Sequence, residues 1–262
     1  MYDVTYEMTQ KKENNMNHTQ INQDHLYIIT TDQARELLRL PMISSITTTP
    51  TVLNNMDRSL ITQCRNLREI RIEEYRGGPL DLGFLEDMAS IDSLRIENLS
   101  GFNVLKKRVR TPTTSDWILP ERLRVSELRL YGILPAENFM NHVSRWEVKK
   151  MTLQCLEFTD DDYHLLSQIH ANELAIFDCT IPRLPDIHDV KIFDLRAHPY
   201  GSITMTVLDL NNLNSDRVEK IGINLKDVKE VIQPMRPMPT LETVALSSLA
   251  ERHSLELDKL SR

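Results

Sequence analysis

The sequence predicts an α/β solenoid, a curved stack of about eight to nine parallel strands with short helices or turns on the convex side. Three observations predict it. An apolar residue, two free positions, an apolar residue, one free position and a further apolar residue recur from starts at Ile43, Leu67, Ile91, Val125, Val148, Ala171, Val190, Val218 and Leu241. The starts are separated by 24, 24, 34, 23, 23, 19, 28 and 23 residues, a near-constant period. Apolar residues make up 40% of the chain but aromatics only 6%, with 7 glycines, so the core must come from Leu, Ile, Val and Met.

The second column of the repeat reads Ile46, Ile70, Leu94, Leu128, Met151, Leu174, Phe193, Ile221 and Val244. The third reads Thr48, Ile72, Ile96, Leu130, Leu153, Ile176, Leu195, Ile223 and Leu246, and Thr48 alone breaks the pattern. Side chains alternate across a strand, so the columns define a core face and the positions between them a free face. One such unit cannot bury its apolar face alone, and neighbours must stack.

This pattern resembles that of the leucine-rich-repeat superfamily, in an irregular form, from Ile43 to about Leu249. The resemblance implies a concave strand face that binds other proteins. It also implies Asn or Cys at the eighth residue after each start, where the side chain bonds to turn backbone. That column reads Thr51, Tyr75, Leu99, Ile133, Leu156, Cys179, His198, Lys226 and Leu249, so only Cys179 fits and irregular turns are expected.

The elements then follow in order. Residues 1–24 are polar and read as a flexible tail without an apolar signal stretch. Residues 25–42 read as an N-terminal cap, with a leading strand over Leu26–Thr30 and a helix to Leu40 capped by Thr31 or Asp32. The solenoid occupies residues 43–248. Gly77-Gly78-Pro79 and the Pro182 to Pro185 stretch read as turns or extended returns. Pro135–Glu147 and Thr159–His170 read as short helices, the second with Thr159 as N-cap and three aspartates at the positive end of its dipole. An inserted loop covers residues 100–124, and residues 249–262 read as a closing charged helix.

On the free face the pattern aligns Arg71, Arg95 and Arg129 in one column flanked by glutamates. Two readings compete: a self-neutralised, solvated ladder, or a charged surface for a partner anchored by these arginines, Tyr131 and Arg196. Phe177 and Ile192 are expected as exposed neighbours on successive strands that mark a partner-binding site, unless the 19-residue interval slips the register and buries one. The inserted loop carries Lys106, Lys107, Arg108 and Arg110, with Trp117 beyond them to anchor it or stack on a ligand. This basic run reads as a solvated excursion, or as a contact for an acidic protein surface or RNA phosphates, or as a nuclear signal.

A formal net charge of −7 disfavours a whole-surface nucleic-acid binder. No apolar run is long enough for a membrane helix. Three cysteines, Cys64, Cys155 and Cys179, form no disulfide framework and point to a reducing, cytoplasmic setting, with a nucleus-directed reading kept open by the basic run. There is no phosphate-binding glycine loop, nucleophile elbow or paired Cys motif, and the histidines are scattered. Cys179 reads as a buried turn residue rather than a metal ligand. The expectation is a non-enzymatic scaffold or adaptor for a protein partner, without cofactor, metal, membrane or small-molecule substrate. The alternatives are a ribonucleoprotein or ribosome-associated factor, a substrate-recognition subunit of a ubiquitin ligase, or a regulator of a GTPase or phosphatase.

Overall fold

The computed structural model describes residues 25–28, 30–32, 42–98, 112–181, 183–184, 187, 189–196, 207–213, 217–224, 230–232 and 240–247. The strands are His25–Tyr27 (β1), Ser45–Thr48 (β2), Glu69–Ile72 (β3), Leu80–Asp81 (β4), Ile91–Glu97 (β5), Trp117–Ile118 (β6) and Arg124–Tyr131 (β7). They continue with Glu147–Gln154 (β8), Glu173–Phe177 (β9), Ile192–Arg196 (β10), Val207–Asp209 (β11), Lys220–Asn224 (β12), Glu230–Ile232 (β13) and Thr243–Ser247 (β14). Ten of them form one parallel sheet in the order β1-β2-β3-β5-β7-β8-β9-β10-β12-β14, which is chain order. The fold is thus α/β, a large parallel sheet with few helices.

The register reproduces the columns. Ile46, Ile70, Leu94, Leu128, Met151, Leu174, Phe193, Ile221 and Val244 lie opposite one another from strand to strand. All are buried except Val244, which is partly so. The residues at the starts of the repeats, from Ile43 to Leu241, are buried as well, and they join the other columns in one core. Thr48, the exception to the pattern, is fully buried, and its hydroxyl makes no hydrogen bond among the described residues. A leading strand lies at His25–Tyr27 rather than over Leu26–Thr30, with Leu26 paired to Ile46.

The residues closing the strands follow a rule of their own. Glu74, Gly132, Cys155 and Asp178, each two residues beyond the third column, have φ of 59°, 62°, 57° and 54°. This left-handed residue swings the next side chain back into the core, where Tyr75, Ile133, Leu156 and Cys179 are buried. The turn is tied to the following strand by repeated bonds: the amides of Gly132, Cys155 and Asp178 donate to the carbonyls of Gln154, Phe177 and Arg196. Cys179 also bonds to the turn, accepting from the Leu156 amide at 3.4 Å and donating to the Phe177 carbonyl at 3.1 Å.

The return segments differ from expectation. The first helices, Pro50–Asn55 and Ser59–Thr62, follow Thr49, whose hydroxyl accepts from the Val52 amide, with proline in the first turn. The expected helix over Pro135–Glu147 shortens to Glu137–Val143, because Glu147 already begins β8. The one over Thr159–His170 becomes a 3-10 turn, Asp160–Asp162, and a single helical turn, Tyr163–Leu166. Its start is capped in the opposite sense to that expected: the Thr159 amide and hydroxyl both donate to the Asp162 carboxylate at 2.8 Å. Short parallel pairs also form between returns, β4 with β6 and β11 with β13, joined by bridges Thr113–Leu134 and Glu157–Thr180. Gly77 and Gly78 make the expected turn with φ of 107° and 92°. Within the inserted stretch, Thr114, Trp117, Pro120 and Leu123 are buried, while Ile118 is 57% exposed. The tail 1–24, most of the capping helix to Leu40, the basic run and the closing segment 249–262 lie outside the described residues.

Candidate interaction surface

Strand alternation sends the side chains between the core columns to the opposite, open face of the sheet. Arg71, Arg95 and Arg129 are register partners on β3, β5 and β7, and all three are half-buried. Like charges at strand spacing, about 4.8 Å, repel, and each guanidinium is turned toward an acceptor on the next strand. Arg71 reaches Glu97 at 2.6 Å and Glu73 at 3.2 Å. Arg95 reaches Glu127 at 3.2 Å, and Arg129 donates to the Gln154 side-chain carbonyl at 2.7 Å. Gln154 in turn donates to Asp178 at 3.1 Å. Burial opposes the charge on Arg71, but its bond to Glu97 and the nearness of Glu73 and Tyr27 outweigh that and raise its pKa.

The same network reaches β1. The Tyr27 hydroxyl donates to Glu73, and burial, followed by that carboxylate, pushes the Tyr27 phenol well above its ordinary range. Further along, Lys150 pairs with Glu173, and Arg196 pairs with Asp194 at 2.6 Å. Arg71 and Arg95 are therefore ion-paired to the next strand, Arg129 is hydrogen-bonded to a neutral acceptor there, and all three stay half-exposed.

Tyr131, Gln154, Phe177 and Arg196 form a second row, one strand end to the next. Burial raises the Tyr131 phenol far above its usual range, with Cys155 as hydrogen-bonding neighbour, and burial raises the Cys155 thiol too. The Arg196 guanidinium lies over the Phe177 ring, 5.9 Å from its centre. Phe177 and Ile192 are not neighbours, contrary to expectation. The register holds across the short interval, so Phe177 faces Arg196 while Ile192 faces Glu173, four residues away or about 13 Å along the strand. Both are half-exposed, so the slipped register that would bury one does not occur.

Trp117 is 5% exposed and belongs to the core. Its indole N–H donates to the Tyr75 hydroxyl at 2.7 Å, and its ring packs edge-on against Tyr75 and Phe139. Of its two expected roles, stacking on a ligand is excluded, because a buried ring with its donor occupied cannot stack on a ligand. Lys106, Lys107, Arg108 and Arg110 lie outside the described residues.

Sequence reading missed a third row, at the starts of the strands. The residue just before each core start contributes Arg124, Glu147, His170, Asp189 and Arg217, which pair along the sheet: Arg124 with Glu147 at 3.0 Å, then Asp189 with His170 at 2.7 Å and with Arg217 at 2.6 Å. The Arg217 bond, offset by some burial and helped by His170, holds the Asp189 carboxyl below its usual range. The alternating signs were visible in the sequence once the repeat is aligned. Among the described residues no group of three or more His, Cys, Asp or Glu is placed to hold a metal ion, and no helix is long and apolar enough to cross a membrane.

In comparisons with known proteins, no family model, no curated protein and no solved structure matches this chain.

Proposed function

We propose that the chain is a leucine-rich-repeat solenoid that serves as a non-enzymatic scaffold or adaptor in the cytoplasm, binding a protein partner through the open face of its sheet. The observation that carries this reading is the pair of rows on that face. Arginines and aromatics stand at strand spacing over a sheet whose other side is core, each held in place by a neighbour, so their side-chain entropy is already restricted before a partner arrives. Arg, Tyr and Phe are the residue types that anchor protein interfaces. Repeat periodicity and in-register columns support the solenoid. The cytoplasmic setting is supported by Cys64, Cys155 and Cys179 all being free thiols.

Alanine at Arg95, Arg129, Tyr131 or Phe177 is expected to weaken capture of the partner in affinity purification while changing stability by no more than about 1 kcal/mol. Partner recovery equal to the parent for all four variants would show that the interface lies elsewhere. A second reading rests on the run Lys106, Lys107, Arg108 and Arg110 in a chain of net charge −7: contact with RNA phosphates in a ribonucleoprotein. Nuclease treatment before purification separates the two, since only RNA-bridged partners are lost.

A further inference from the structure

At the strand-start edge lies a groove of about 720 Å³, within the size range of ligand-binding clefts. Beneath it run Ile91, Val125, Val148 and Ala171, all buried. One wall is the third row, whose charges are already paired with one another. The other wall is different. Asp92, Ser126, Lys149 and Asn172 follow one another on β5, on β7, on β8 and just before β9, and among the described residues their side chains make no hydrogen bond or ion pair. Register sets them side by side, because Ile91 faces Val125 and Val125 faces Val148. Two strand spacings put the Cα atoms of Asp92 and Lys149 about 10 Å apart, with Ser126 on the strand between them.

This wall offers a carboxylate, a hydroxyl, an ammonium and a carboxamide in a line across the strands. A peptide in polyproline II conformation repeats its face every three residues, a rise of about 9.3 Å, and leaves its carbonyls free of internal hydrogen bonds. A β-extended peptide instead places same-face residues about 6.8 Å or 13.6 Å apart, which does not match. We propose that the groove binds a polyproline II segment of a partner protein carrying one basic and one acidic side chain three residues apart. The basic group lies on Asp92 and the acidic group on Lys149, while the Ser126 hydroxyl and the Asn172 amide donate to backbone carbonyls of the segment. The paired wall presents no uncompensated charge, so selectivity comes from the unpaired one. This site is separate from the open-face rows and does not depend on the function proposed for them.

The test uses fluorescently labelled octaproline peptides and the full chain, with binding read by anisotropy. One peptide carries arginine and glutamate at its third and sixth positions, another at its third and fifth, and two more carry arginine twice or glutamate twice at the third and sixth. The parent protein is expected to prefer the mixed peptide of three-residue spacing over the others by about fivefold, the scale of one exposed ion pair. K149E is expected to move that preference to the doubly basic peptide, and D92K to the doubly acidic one. Both replaced side chains are exposed, so the fold is retained, which circular dichroism checks. No binding by the parent, equal binding of all four peptides, or an unchanged preference in K149E would each overturn the proposal.

Discussion

Thr48 and Leu153 occupy the same column of the sheet, and they show how differently one position can be filled. Both are fully buried. Thr48 keeps a hydroxyl without a hydrogen bond among the described residues, which leaves a desolvated polar atom uncompensated. Thr48→Val keeps the shape and removes that atom, so chemical denaturation should show a gain of about 1 kcal/mol. An equal or lower stability would mean that the hydroxyl has a partner. Leu153→Asp does the reverse, placing an unpaired carboxylate in the core, and should cost about 4 kcal/mol or more, read as loss of the cooperative unfolding transition at ordinary temperature. The left-handed turn residues belong to this scale too. Glycine at position 132 announces such a turn, whereas Glu74 and Cys155 adopt the same conformation without that signal. Their φ is imposed by the bonds to the next strand and by the burial of the residue that follows.

Among the elements, the strands were legible and the returns were not. A strand that must bury alternate residues against identical neighbours writes its register into the sequence, and every strand beginning from Leu67 to Leu241 lies where the columns place it. A return segment need only bring the chain back. It can do so as a helix, a 3-10 turn or a two-residue strand, and pieces so short carry no periodicity. The signal at Thr49-Pro50, an N-cap followed by a proline, was available and was missed. The helix Glu137–Val143 is held by packing rather than length: Phe139, Met140 and Val143 are buried, and Phe139 stands edge-on to Trp117 and Trp146. Phe139→Ala should therefore cost about 3–5 kcal/mol in equilibrium unfolding. A loss below about 1 kcal/mol would show that the aromatic chain is not what fastens this return to the sheet.

Across the whole molecule, charge is arranged in rows because the repeat stacks equivalent positions. Among the described residues, arginines that recur at one strand spacing have glutamates interleaved with them, as Arg71, Glu97, Arg95 and Glu127 show. The basic run lies outside the described residues. Replacing Lys106, Lys107, Arg108 and Arg110 together with serine should weaken partner or RNA binding much more at low salt than at high salt, since exposed ionic contacts are screened. Identical salt titrations for variant and parent would reduce the run to a solvated excursion from the repeat. Of the candidate contacts, the arginine column and the Tyr131, Phe177 and Arg196 positions could be read from the repeat alone. The pairing of Phe177 with Arg196 rather than Ile192 also follows from the repeat, since both lie six residues after their starts Ala171 and Val190, whereas the burial of Trp117 required the neighbours that close over it.

By itself, the sequence determined which columns of the repeat face the core, the order of the repeat strands and the chain's acidic balance. Those follow from local alternation and from a period that each unit repeats, so they need no knowledge of what lies across the sheet. Tertiary structure alone decided which acceptor each arginine takes, that Trp117 is core, that the returns pair among themselves and that the strand-start charges join into a row beside a groove. Most of these depend on side chains far apart in the sequence meeting at one strand spacing, as Arg71 meets Glu97 and Tyr75 meets Trp117. Which of several nearby groups a side chain reaches is settled only by the distances between strands.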